Sequence, residues 1–98
     1  MSMVITMVKN NIYAEIRRYM KNAIIRGCTD EEVLKHRAYI YATNLVGENA
    51  TKEFLYNIRS FINATVMLIR EECRRGGEHF EDVTLDEVRR RLMNGRNW

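Results

Sequence analysis

The sequence predicts an all-α protein, a single-domain antiparallel helical bundle of three long helices plus one short C-terminal helix. Three observations carry that expectation. Apolar residues recur at steps of three and four along most of the 98 residues, the period of one helix face rather than the alternation of a strand. Each periodic stretch is closed by glycine, and the next is opened by a residue suited to capping. No proline interrupts any of them, so no helix carries an internal breaker.

The first helix is expected over about residues 3–26. Ile5, Val8, Ile12, Ile16, Tyr19 and Ala23 fall within a stripe about 80° wide at 100° per residue. Gly27 follows as a C-cap, with Arg26 beside the negative end of the helix dipole. Met3 to Met7 is also rich enough in β-branched residues for a short strand, but Ile5 and Val8 continue the helical stripe. The second helix, about 30–46, opens on Thr29-Asp30-Glu31-Glu32, which has the form of a capping box. It presents Val33, Leu34, Ala38, Tyr41 and Leu45 inward and closes at Gly47. With so short a connection the first two helices must pair antiparallel. Arg37 and Asn44 fall on this face too, and their long or polar side chains suit its edge.

The third helix, about 50–75, is capped by Asn49 or Thr51 and ends at Gly76-Gly77. Phe54, Leu55, Ile58, Phe61, Ile62, Val66, Leu68, Ile69 and Cys73 spread over a face about 160° wide. Its other side is also free of charge from Ser60 to Ile69, through Ser60, Asn63, Ala64 and Met67. A helix apolar on one side and uncharged on the other is expected to be surrounded. A second protomer is the economical neighbour, through Tyr56, Ser60, Asn63, Ala64 and Met67. The last helix, about 85–94, begins at a second box, Thr84-Leu85-Asp86-Glu87, with Val83 and Val88 placed as a hydrophobic staple. Leu85, Val88 and Leu92 are its anchors. A helix this short does not persist alone in water and must dock.

At 46% hydrophobic and 30% charged residues, the chain has the composition of a folded domain rather than a disordered one. Its length supports one core. No apolar run reaches the roughly 18–20 residues of a membrane span, and the N-terminus lacks the basic start and cleavage pattern of a secretory signal. An intracellular protein without membrane attachment is therefore expected. The formal charge of +3, with twelve Arg against four Lys, permits an anionic partner.

Chemistry-bearing patterns are few. Cys28, His36, Cys73 and His79 match a structural zinc site in number. They contain no CxxC or HxxxH pair, so no metal and no cofactor is expected. Cys28 and Cys73 lie where an antiparallel bundle brings them near one another, a candidate disulfide against the preferred reading of two free thiols. There is no Gly-rich phosphate loop, HExxH or GxSxG motif, and Glu31-Glu32 and Glu71-Glu72 point about 100° apart. The chain is therefore not expected to be an enzyme.

Arg17, Arg18 and Lys21 share the face opposite the first helix's apolar stripe. Arg89, Arg90 and Arg91, with Arg74-Arg75, add to the supply of cations suited to DNA or RNA phosphates. Ala23, Gly27 and Val33 sit at the offsets of a helix-turn-helix. Asn22 and Arg26 stand where that pattern is apolar, however, and Asp30-Glu31-Glu32 would face the phosphates. The expected function is a small non-catalytic interaction protein, an adaptor, inhibitor or assembly subunit, working as a homodimer or with another protein. The alternative is a nucleic-acid-binding protein using the basic residues just named.

Overall fold

The computed structural model describes the backbone of residues 2–95 and the side chains of residues 12–95. Within those residues four α-helices pack into one globule without strands. They are α1 (Ser2–Ile25), α2 (Glu31–Val46), α3 (Lys52–Cys73) and α4 (Leu85–Gly95). The N-terminal stretch that also suited a strand is helical.

Helix directions follow from cross-helix partners. Glu15 and Tyr19 on α1 meet Tyr41 on α2, and a short turn joins the two helices, so they run antiparallel. On α2 and α3, Glu31 meets Arg70 while Tyr39 meets Arg59, again antiparallel. Tyr13 packs on Phe61 with ring centroids 4.6 Å apart, and Lys21 reaches Glu72, so α1 and α3 run the same way and end at the same end of the bundle. There α4 lies against both.

The turn after α1 is a complete Schellman motif. Cys28 N–H donates to the Ala23 carbonyl at 2.9 Å and Gly27 N–H to the Ile24 carbonyl at 3.0 Å. Gly27 takes φ 108°, a conformation that costs a side-chain-bearing residue but not glycine. Thr29 is not the cap of α2. Asp30 takes the extended conformation and its carboxylate accepts the Val33 N–H at 3.1 Å. A carboxylate caps as well as a hydroxyl and gains from the positive helix end besides. Thr51 caps α3 through the Phe54 N–H at 3.0 Å, and Thr84 caps α4 through the Glu87 N–H at 3.2 Å. Val83 and Val88 are both buried, as a hydrophobic staple requires. Two residues earlier than its glycines suggest, α3 stops at Cys73, because Arg74 turns out to φ −67°, ψ 140°. Gly77, at φ 87°, then serves the Arg75–Glu78 turn instead.

The core is built from Ile12, Ile16, Met20 and Ile24 of α1, Leu34, Ala38 and Ala42 of α2, and Phe54, Ile58, Ile62, Val66 and Ile69 of α3, closed by Val83, Leu85 and Val88. On α1, Met20 and Ile24 take the central places that the periodicity assigned to Tyr19 and Ala23, which lie half-buried beside them. On α2 the buried line is narrow and ends in two alanines, which let the flanking helices approach. Val33 and Leu45 are consequently left exposed. Leu68 of α3 also faces outward, 54% exposed. Arg37 and Asn44 are exposed at the edge of α2.

The contrast on α3 is measurable. Ile58→Ala should destabilise the fold by about 3 kcal/mol in urea denaturation, whereas Leu68→Ala should stay within about 0.5 kcal/mol of the parent.

Candidate functional site

At the end where α1 and α3 finish, their last carbonyls lack partners within the helix. Arginines of α4 supply them. Arg89 Nε donates to the Ile25 carbonyl at 2.9 Å, and Arg91 Nη1 donates to the Cys73 carbonyl at 2.9 Å. Both are cations set against the negative ends of helix dipoles. Arg91 also forms a two-pronged pair with Glu78, at 2.9 and 3.1 Å, and approaches Glu87 at 3.4 Å. Its side chain is only 12% exposed. The hydrogen bonds from Arg91, and then the Arg75 backbone N–H, hold the Glu78 carboxyl below the usual carboxylate range. Arg91 is held charged by the same contact.

Of the other basic residues singled out in the sequence, Arg17 is exposed. Arg18 is exposed and paired with Glu15, Lys21 pairs with Glu72 at 2.9 Å, and Arg90 is exposed beside Glu87 at 2.8 Å. The cluster therefore divides. Arg18, Lys21 and Arg91 converge with Arg74 and Arg75 around one groove of about 640 Å³, floored by Ile25, Cys73 and Leu92, with Glu72 as the one acidic residue among the described residues that line it. Arg89 is tied to the end of α1, and Arg17 and Arg90 do not line the groove. Several of the converging cations already hold carboxylates, Arg74 with Glu71 at 3.1 Å among them. The attraction for a further anion is correspondingly reduced.

The second surface is the outward side of α3. Tyr56, Ser60, Asn63, Ala64 and Met67 are all exposed, Tyr56 to 70% and Met67 to 50%. Asn63 also borders a shallow depression of about 260 Å³ between α2 and α3, lined by Glu32, Lys35, His36, Tyr39, Arg59 and Ile62. The Arg59 guanidinium lies over the Tyr39 ring at 4.5 Å, a cation–π contact that covers one wall. Behind it, Glu31 pairs with both Lys35 and Arg70. The hydrogen bond from Lys35, with Arg70 nearby, lowers the Glu31 carboxyl from its ordinary value despite some burial.

Cys28 and Cys73 are free thiols, both half-buried. Burial, with Glu72 nearby, pushes the Cys73 thiol up. His36 and His79 are exposed. No three of the described His, Cys, Asp or Glu side chains form a metal-binding group. No described helix is long and apolar enough to cross a membrane.

The role of Arg91 in the bundle end was not visible in the sequence, because Glu78 is brought to it by a loop and the Cys73 carbonyl by the end of α3. Arg91→Ala should lower the melting temperature by several degrees, and Arg90→Ala, at an exposed neighbour, should leave it nearly unchanged. The carboxyl of Glu78 is lowered on folding, so its stabilising contribution is complete above the ordinary value of 4.5. That contribution is lost as pH falls through the lower folded value. The protection factors of the α4 amides, taken against the intrinsic exchange rate at each pH, should therefore fall on acidification below that range in the parent, and should already be low at neutral pH in Arg91→Ala.

Compared with protein-family models, with curated protein sequences and with solved structures, the chain finds no significant match to any of them.

Proposed function

We propose that the protein is a small, non-catalytic interaction module that works as a homodimer through the outward face of α3. The observation behind this reading is the exposure of that face together with its lack of charge. From Ser60 to Ile69 no acidic or basic residue occurs, and the half of this stretch turned away from the core carries Asn63, Ala64, Met67 and Leu68 in the open. A solvated helix face ordinarily carries charge, and an uncharged strip that leaves Tyr56, Met67 and Leu68 in the open suits a contact surface. Light scattering on the eluting protein should give twice the 11.7 kDa chain mass at micromolar concentration. Ser60→Arg should return it to the single-chain mass with its helicity intact. A parent that remains monomeric defeats the proposal.

A second reading is nucleic-acid binding, favoured by the convergence of Arg18, Lys21, Arg74, Arg75 and Arg91 on one groove. It requires affinity for duplex DNA or RNA that falls steeply with salt, and weakens about threefold or more on Arg75→Ala, whose loss removes one phosphate-directed cation. Fluorescence anisotropy at low salt is the check, and an absence of binding there ends this reading.

A further inference from the structure

The structure assigns a path for a single-stranded nucleic acid, from the furrow between α1 and α2 into the basic groove at the end of the bundle. Its phosphates lie on Arg37, Arg26 and Arg75, and its bases lie against the Tyr19–Tyr41 pair. This rests on the nucleic-acid reading of that groove given above and adds the route and the strandedness of the ligand.

The groove is one part of a longer depression. A hollow of about 270 Å³ between α1 and α2 is lined by Arg26 and shares Arg18 and Asn22 with the groove. It shares Tyr19, Arg37 and Tyr41 with a further hollow of about 340 Å³, which reaches Ile40 and Asn44. Charge along this path is segregated. Arg18, Lys21, Arg74 and Arg91 already hold Glu15, Glu72, Glu71 and Glu78, and Asp30, at the adjoining start of α2, caps the Val33 N–H. Arg75 bonds Glu78 through its backbone N–H at 2.9 Å. The guanidinium groups of Arg26, Arg37 and Arg75 have no hydrogen-bonded or ion-paired partner among the described residues, and all three residues are exposed. The carboxylates that likewise lack such a partner among the described residues are Glu32, Glu48, Glu53, Glu81, Asp82 and Asp86. None of them lines any of the three hollows.

Uncommitted cations spaced along a furrow attract a polyanion without reading its sequence. The ring pair selects the kind of polyanion. Tyr19 and Tyr41 stack with centroids 4.3 Å apart and 13° between ring planes, are half-buried, and line both hollows on the flank. Flat, partly open rings beside a basic furrow are a platform on which unpaired bases stack. Asn22 and Asn44, both exposed, add carboxamides that donate to and accept from base edges. A duplex does not fit this description. Packed helix axes lie about 8–10 Å apart, which leaves room for one strand between them, and paired bases keep their faces inside their own stack. An acidic peptide satisfies the arginines but makes no use of the ring pair.

Fluorescence anisotropy at low salt tests the path, with labelled oligothymidine and with its duplex with oligoadenosine as probes. The single strand should bind about tenfold more tightly than the duplex. Arg37→Glu should weaken single-strand binding about tenfold or more. Arg17→Glu makes the same change of net charge half a turn round α1 from Arg26, and should stay within about threefold of the parent. Both sites are exposed, so circular dichroism of the two variants should match the parent. Polyglutamate should displace the strand only weakly. The path is overturned if the duplex binds as tightly as the single strand, if Arg37→Glu is no weaker than Arg17→Glu, or if polyglutamate competes equally. Nucleic-acid binding by the groove still stands in the first two cases, provided Arg75→Ala weakens the complex. Failure of both nucleic acids to bind overturns the path and the groove reading together.

Discussion

The fold depends on how one end of the bundle is closed. Two parallel helices finishing side by side present two sets of orphan carbonyls and two negative dipole ends, an arrangement that is unfavourable unless hydrogen-bond donors carrying positive charge are brought to it. The closing element is α4, and Arg89 and Arg91 are those donors. The dependence is mutual. Eleven residues do not sustain a helix in water, and α4 persists because Leu85 and Val88 are buried and because Arg91 binds at once the end of α3, the loop carboxylate of Glu78 and Glu87 on its own helix. The arginine run that could pass for a nucleic-acid signature is thus largely internal wiring of the fold.

Closure at one end leaves the sides of the bundle with different characters. The flank of α1 is dressed with ions, Arg18 with Glu15 and Lys21 with Glu72, and Tyr41 stacks on Tyr19 at 4.3 Å while its hydroxyl donates to Glu15. Burial, with Glu15 nearby, raises that hydroxyl's pKa. Those groups are satisfied within the chain. The outward side of α3 is not treated this way. Its middle offers hydroxyl, carboxamide, methyl and thioether groups without an ion pair. Charges return toward the two helix ends, at Lys52 and Glu53 and at Glu71.

Much of the architecture was legible because it is written in local rules. Helix number, order and approximate span follow from period and punctuation, and the Thr51 and Thr84 caps, the Gly27 turn and the Val83–Val88 staple are short-range signals. Choices between neighbours were not legible. Tyr19 and Met20, or Thr29 and Asp30, differ by one position, and which side chain is central depends on the partner helix rather than on its own. The small contact made by Ala38 and Ala42 narrowed the inward strip of α2 and left Val33 and Leu45 outside, a tertiary effect that periodicity cannot register. The outward face of α3 was visible as an uncharged stretch. The bond between Arg91 and Glu78 was not, since nothing near either residue announces it.

One consequence follows from the position of Cys73. Its carbonyl is tied down by Arg91, its side chain packs against the core, and its thiol loses a proton less readily than a free cysteine. Thiolate is the species that attacks oxidants, metals and disulfides, so little of the reactive form exists at neutral pH. Although the groove it floors is ringed by cations, this sulfur behaves as a small packing atom. At neutral pH it serves the end of the bundle more as volume than as a nucleophile.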